Sequence, residues 1–82
     1  MTKEDIIIYL NEEDDKVYVK VPGGIPTRYE LQNLAGKLIS EAQHDNSLHD
    51  FDLTGLDDGI YFVIINQNDN IRSKKIIKGY HP

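Results

Sequence analysis

The apolar rhythm of this chain constrains its fold more than any other feature. Apolar residues come in short alternating runs, cut apart by Gly, Pro, Asn and Asp. The cleanest run is Lys16-Val17-Tyr18-Val19-Lys20-Val21, where three valines share one face and Lys16, Tyr18 and Lys20 the other. A period of two is a strand with one face buried. The nearest approach to helical spacing is Leu31, Leu34, Leu38, but Gly36 interrupts it and Tyr29 with Leu31 fits alternation better.

Read this way, the chain divides into seven strands at residues 5–10, 16–21, 27–34, 37–42, 49–53, 59–66 and 71–78. Tyr29 and Leu31 point inward on the third, Phe51 and Leu53 on the fifth. The sixth is apolar on both faces, with Ile60, Phe62 and Ile64 one way and Tyr61, Val63 and Ile65 the other, the pattern of a strand covered on both sides. Gly36 is the turn glycine of an expected hairpin at 33–37, and residues 66–70 make the last turn. Gly79-Tyr80-His81-Pro82 is expected as a loose tail. Short strands with regular turn signals predict an all-β fold, an immunoglobulin-like antiparallel β-sandwich of about seven strands. With 82 residues it forms one domain spanning 1–82, its core at 5–78. A chain this size buries only about 60–65% of its unfolded surface, so the core is small.

Composition narrows the function classes. A net charge of −5 argues against nucleic-acid binding. The charge is uneven: Glu12-Glu13-Asp14-Asp15 is acidic, whereas the charged residues after Asn70 are Arg72, Lys74, Lys75 and Lys78. The absence of cysteine removes disulfides and thiolate metal sites. No segment is long and apolar enough to span or insert into a bilayer, and the first residues do not read as a leader. The expectation is therefore either a cytoplasmic protein or a piece of a longer exported chain.

Catalytic chemistry lacks its parts. No serine lies in a G-x-S-x-G elbow, and Gly23-Gly24 is not followed by a helix that would make a phosphate loop. His44, His49 and His81 lack the spacing that puts two rings on one metal, so loop polarity accounts for them. The acidic turn and Asp57-Asp58 carry no calcium-loop pattern and read as solvated turns. No catalytic residue, metal site or cofactor is expected. Five tyrosines are many for a chain this short, and half-buried strand positions with wet hydroxyls explain them.

The strands, taken in order, resemble a known family. Lys16 to Lys20, Tyr29-Glu30-Leu31 leading to Gly36-Lys37, Leu56 through Gly59-Ile60-Tyr61, and Lys74-Lys75-Ile76-Ile77-Lys78 are similar to the successive motifs of the C-terminal sorting domain of type IX secretion system cargo proteins of Bacteroidetes. Tyr9-Leu10-Asn11-Glu12 stands at that family's Tyr-Pro-Asn-Pro opening, with Leu10 and Glu12 in place of the prolines, and Asn70 stands where a turn glycine is usual. The resemblance implies a non-enzymatic export signal recognised by the outer-membrane secretion machinery. It also implies a surface sortase that removes the domain, and passage from periplasm to cell surface or medium. Partner recognition would then fall on Gly59, Tyr61, Lys74, Lys75 and Lys78. A receptor strand pairing with the exposed last strand is one mode. The alternative is a stand-alone immunoglobulin-like interaction or adhesion module. Either would be a monomer, or a weak dimer through the apolar first strand if that strand is an edge.

Overall fold

The computed structural model describes residues 6–79. Asp5 of the expected first strand and Tyr80, His81 and Pro82 of the expected tail lie outside the described residues. Seven strands form: β1 (Ile7–Asn11), β2 (Lys16–Lys20), β3 (Thr27–Asn33), β4 (Leu38–His44), β5 (Leu48–Asp52), β6 (Gly59–Gln67) and β7 (Asn70–Lys78). All pairs are antiparallel, in one sheet of order β1-β2-β5 and another of order β4-β3-β6-β7. The sheets pack face to face as the β-sandwich the alternation predicts. The fourth strand lies beside the third in the larger sheet.

The chain crosses between sheets three times, at residues 21–26, 45–47 and 53–58, and each crossing is tied by backbone bonds. Val21 N–H donates to Ser47 O at 2.8 Å, Gly24 N–H to Asp45 O at 3.0 Å, and Leu53 N–H to Asp15 O at 2.8 Å. Such bonds keep loop amides satisfied where water is partly excluded.

The core follows the predicted faces. Val17, Val19, Tyr29, Leu31, Val63 and Ile65 are essentially without solvent contact, and Phe51, Leu53, Tyr61 and Ile76 complete the layer between the sheets. Each such side chain stabilises the fold by about 1.5–3 kcal/mol relative to exposure. Two polar residues share this interior. Gln67 Nε2 donates to Thr27 Oγ1 at 2.9 Å, and Thr27 Oγ1 donates to Ile25 O at 2.8 Å. Among the described residues no buried side-chain polar atom lacks a partner.

Three expectations change. β6 runs one residue further, to Gln67, because that side chain has its partner inside. The polar stretch 43–48, read as a loop, gives Gln43 and His44 to β4 and Leu48 to β5, since both strands have neighbours to pair with. β6 is covered on one face only. Tyr61, Val63 and Ile65 are buried, whereas Ile60, Phe62 and Ile64 are half-buried on the outer surface, shielded by strand neighbours such as Gln32 and Lys75. A two-layer sandwich has no third layer to cover that side.

Candidate recognition surface

The β6–β7 hairpin carries most of the residues singled out in the sequence. Its turn is tighter than the expected five residues. Gln67 pairs with Asn70, leaving Asn68 and Asp69 as a two-residue loop with φ of 50° and 66°. Two consecutive left-handed residues make a type I′ turn, whose twist matches that of the strands it joins. Asn and Asp tolerate this region better than other residues with a Cβ. Asn70, expected at the glycine position of the turn, is a strand residue with negative φ.

At the far end of β6 the chain arrives through a corner, residues 54–58. Gly59 begins the strand at φ +150°, a region that strongly favours glycine. A Cβ built there, or on Gly36 at φ +85°, has nothing within 4 Å. The requirement at both positions is therefore backbone conformation, with no neighbour that a side chain would meet. The Gly36 turn closes with Gly36 N–H donating to Asn33 O at 2.9 Å. Tyr61 buries its ring in the core and donates its hydroxyl to Asp57 O at 2.5 Å. Burial, then the charges of Asp57 and Asp58, raise its pKa. Lys78, the second to last residue of the described chain, returns to the same corner. Its ammonium donates to Leu56 O at 2.6 Å, and Asp58 Oδ1 lies 3.9 Å away. Gly59 and Tyr61, with Lys78 from the other end of the hairpin sequence, thus meet at one corner.

The other two lysines part company. Lys74 turns towards the smaller sheet and donates to Ile8 O at 2.6 Å, a carbonyl on the outer edge of β1. Lys75 is exposed on the outer face, paired in register with Phe62. Arg72 is exposed too. Neither enters an ion pair among the described residues.

One cluster was not legible beforehand. His44 ends β4 and His49 lies in β5, so they belong to different sheets, yet His44 Nε2 and His49 Nδ1 are 3.0 Å apart. Tyr29 packs against both rings, at 4.8 and 4.6 Å between centroids, and Phe51 meets His49 edge-on at 4.7 Å. Asn46 N–H donates to His44 Nδ1 at 3.2 Å. His44 therefore carries its proton on Nε2 and donates it to His49 Nδ1. A metal on His44 Nε2 would need that proton on Nδ1, where Asn46 N–H already points. The pair is accordingly a cross-sheet hydrogen bond. Burial, then the neighbouring His44, lowers the pKa of His49, with Asp50 opposing. No spacing in the sequence announces this contact, because the crossover creates it. His81 lies outside the described residues.

The outer face of the smaller sheet carries Tyr9 stacked on Tyr18 at 5.5 Å, with Ile7 and Leu48 exposed nearby. Tyr18 is held by a hydrogen bond to Asp14, which pushes its pKa up to about 12. Among the described residues no three His, Asp or Glu side chains gather as a metal set.

Fold and site together define a small β-sandwich module whose distinctive residues shape one hairpin and one corner. Residues 7–79 match the model of the secretion system C-terminal sorting domain. The chain belongs to that family, and the domain is a C-terminal sorting signal for type IX secretion, recognised by proteins of the export machinery. It directs cargo to the cell surface or the medium. No curated protein matches the chain. Nothing supports the alternative of a stand-alone adhesion module.

Proposed function

We propose that the export machinery reads the β6–β7 hairpin, and that the basic close of the sequence divides into two tasks. Lys78 and Lys74 hold the hairpin in place, one on the corner at Leu56 and one on β1. Lys75 on the outer face, and Arg72 on the opposite face of the same strand, offer charge to the partner. Gly59 and Tyr61 act by shaping the hairpin they belong to. The observation that carries this reading is the direction of the three ammonium groups: two are spent on backbone carbonyls at 2.6 Å and the third stands free on the outer face. The domain acts by being recognised, with no chemistry of its own. It passes from periplasm to surface with its cargo, and a surface sortase then removes it. Lys74 on the Ile8 carbonyl discourages β1 from pairing with a second copy, so the working form is a monomer.

The test is an export assay. A fluorescent protein with a periplasmic leader is fused ahead of residues 1–82 and expressed in a bacteroidete with an active type IX system, and in a strain lacking the secretion pore. Fluorescence is expected outside the first strain and inside the second. Lys75→Ala is expected to weaken export with the fold intact, and Lys78→Ala to weaken it through loss of stability. Periplasmic retention of the folded fusion in both strains would sink the reading.

A further inference from the structure

Two sheets have four edges, here β1, β5, β4 and β7. Exposed edges invite pairing with other chains, and proteins blunt them by shortness, bulges or covering groups. Three of these edges are blunted. β1 is five residues long and Lys74 covers its Ile8 carbonyl. β5 is also five residues, and His49 ties it to the opposite sheet. β4 carries a bulge, since Leu31 pairs with Ser40 and Gln32 with Leu38, leaving Ile39 over. β7 differs. It is nine residues long, free of proline, in unbroken register with β6, and pairs with no other strand among the described residues.

Charge says what can pair with it. Between Asn70 and Gly79 the charged residues are Arg72, Lys74, Lys75 and Lys78, with no acid. A second copy laid along β7 would set these cations against their own equivalents, so they guard the edge against self-pairing. They favour a strand that carries carboxylates. Beside Ile77 an open groove of about 650 Å³ is lined by Tyr9, Leu10, Glu12 and Glu13. That end of the edge is therefore apolar with an acidic rim, and the cationic end lies at Arg72 to Lys75.

We propose that the free edge of β7 receives an extended segment of the secretion machinery as a fifth strand of the larger sheet. The segment carries acidic residues opposite Arg72 and Lys75 and an apolar residue opposite Ile77. Main-chain hydrogen bonds supply the affinity, and the charge pattern fixes register and partner. This deepens the sorting reading above and rests on it for the identity of the occupant.

Two experiments separate the inferences. In the first, the isotopically labelled domain is titrated with a synthetic nonapeptide of valine and threonine carrying two glutamates three positions apart, one for Arg72 on the inner face and one for Lys75 on the outer face, and with its lysine counterpart. Amide shifts confined to β7 and its neighbour β6 are expected with the first peptide and none with the second. The double variant R72E/K75E should weaken binding by about tenfold or more, and K16E/K20E on the other sheet, with the same change in charge, should leave it unaltered. Shifts on β4, or no shifts at all, overturn the edge site. In the second, both double variants enter the export assay, with thermal unfolding as the check on folding. Export lost in R72E/K75E and kept in K16E/K20E supports the proposal. Equal export of the two, or equal loss, overturns it. A wild-type domain that binds the acidic peptide but is not exported overturns the sorting reading and the occupant with it, while leaving the edge site standing.

Discussion

Lys74, Lys75 and Lys78 are one residue type within five positions, and their surroundings give them three situations. An ammonium held on a carbonyl contributes more than a neutral hydrogen bond, about 1.5–3 kcal/mol. Lys78, whose side chain is 11% exposed, sits on the Leu56 carbonyl. Lys78→Ala is expected to lower stability by about 1–2 kcal/mol, measured by urea unfolding, because part of that carbonyl's loss is recovered by water. Lys75→Ala should leave the unfolding midpoint unchanged. The His44–His49 pair makes a second prediction at this scale, on pH. Folding lowers the pKa of His49 from its ordinary 6.5. As pH falls through that value the unfolded chain takes up the proton first, so stability drops and then levels off below the folded pKa. The titratable neighbours of the pair are Tyr29 from β3, stacked on His49, and Asp50, on the opposite face of β5, and only Asp50 opposes the effect. The urea midpoint is expected to be lower at about pH 5.5 than at about pH 7.5, and His49→Gln should remove most of that difference. An unchanged pH dependence in the variant would show that carboxylates dominate.

Among the elements, the β6–β7 hairpin depends on backbone conformation at both ends. Its I′ turn uses Asn68-Asp69, one residue short of the preferred Asn-Gly pair. Asp69→Gly should therefore raise stability by about 0.5 kcal/mol, read as a higher melting temperature, since the strain of φ +66° exceeds the entropy that glycine adds to the unfolded chain. At the other end Gly59 sits at φ +150° in open space. Gly59→Ala is expected to cost about 1–3 kcal/mol through conformation alone. The loss should appear in thermal unfolding, and weakened export should follow it. A Gly59→Ala domain of native stability would show that the backbone relaxes there.

Over the whole molecule, one core joins both sheets, so the hairpin cannot be released without exposing β3 and the smaller sheet. Leu31 lies at the centre of this layer. Leu31→Ala is expected to destabilise by about 2–5 kcal/mol, and fluorescence and circular dichroism should still give one coincident transition. Separate transitions for the two sheets would contradict a single folding unit. Two of the five strand pairs, β2 with β5 and β3 with β6, join residues distant in sequence, such as Thr27 with Gln67, and both sheets depend on them, so folding should be slow for this size, in milliseconds to seconds.

The sequence by itself determined the strand set, the buried faces of β2, β3 and β5, and the family. Alternation is a local property, and a period of two leaves a face no choice once a core exists. Val17, Tyr29 and Leu31 were readable for that reason. So was the resemblance of the closing hairpin, since its glycine, tyrosine and lysines stand at fixed separations along one chain. Tertiary structure alone decided what those residues touch. Lys74 and Lys75 are adjacent in sequence, and only the packing of β7 over β1 sends one to a carbonyl and leaves the other in water. His44 and His49 look like polar loop residues until the crossover brings two sheets together. β6 reads as covered on both sides until the fold supplies only two layers. Contacts between sheets depend on register and crossing geometry, which no stretch of residues encodes on its own.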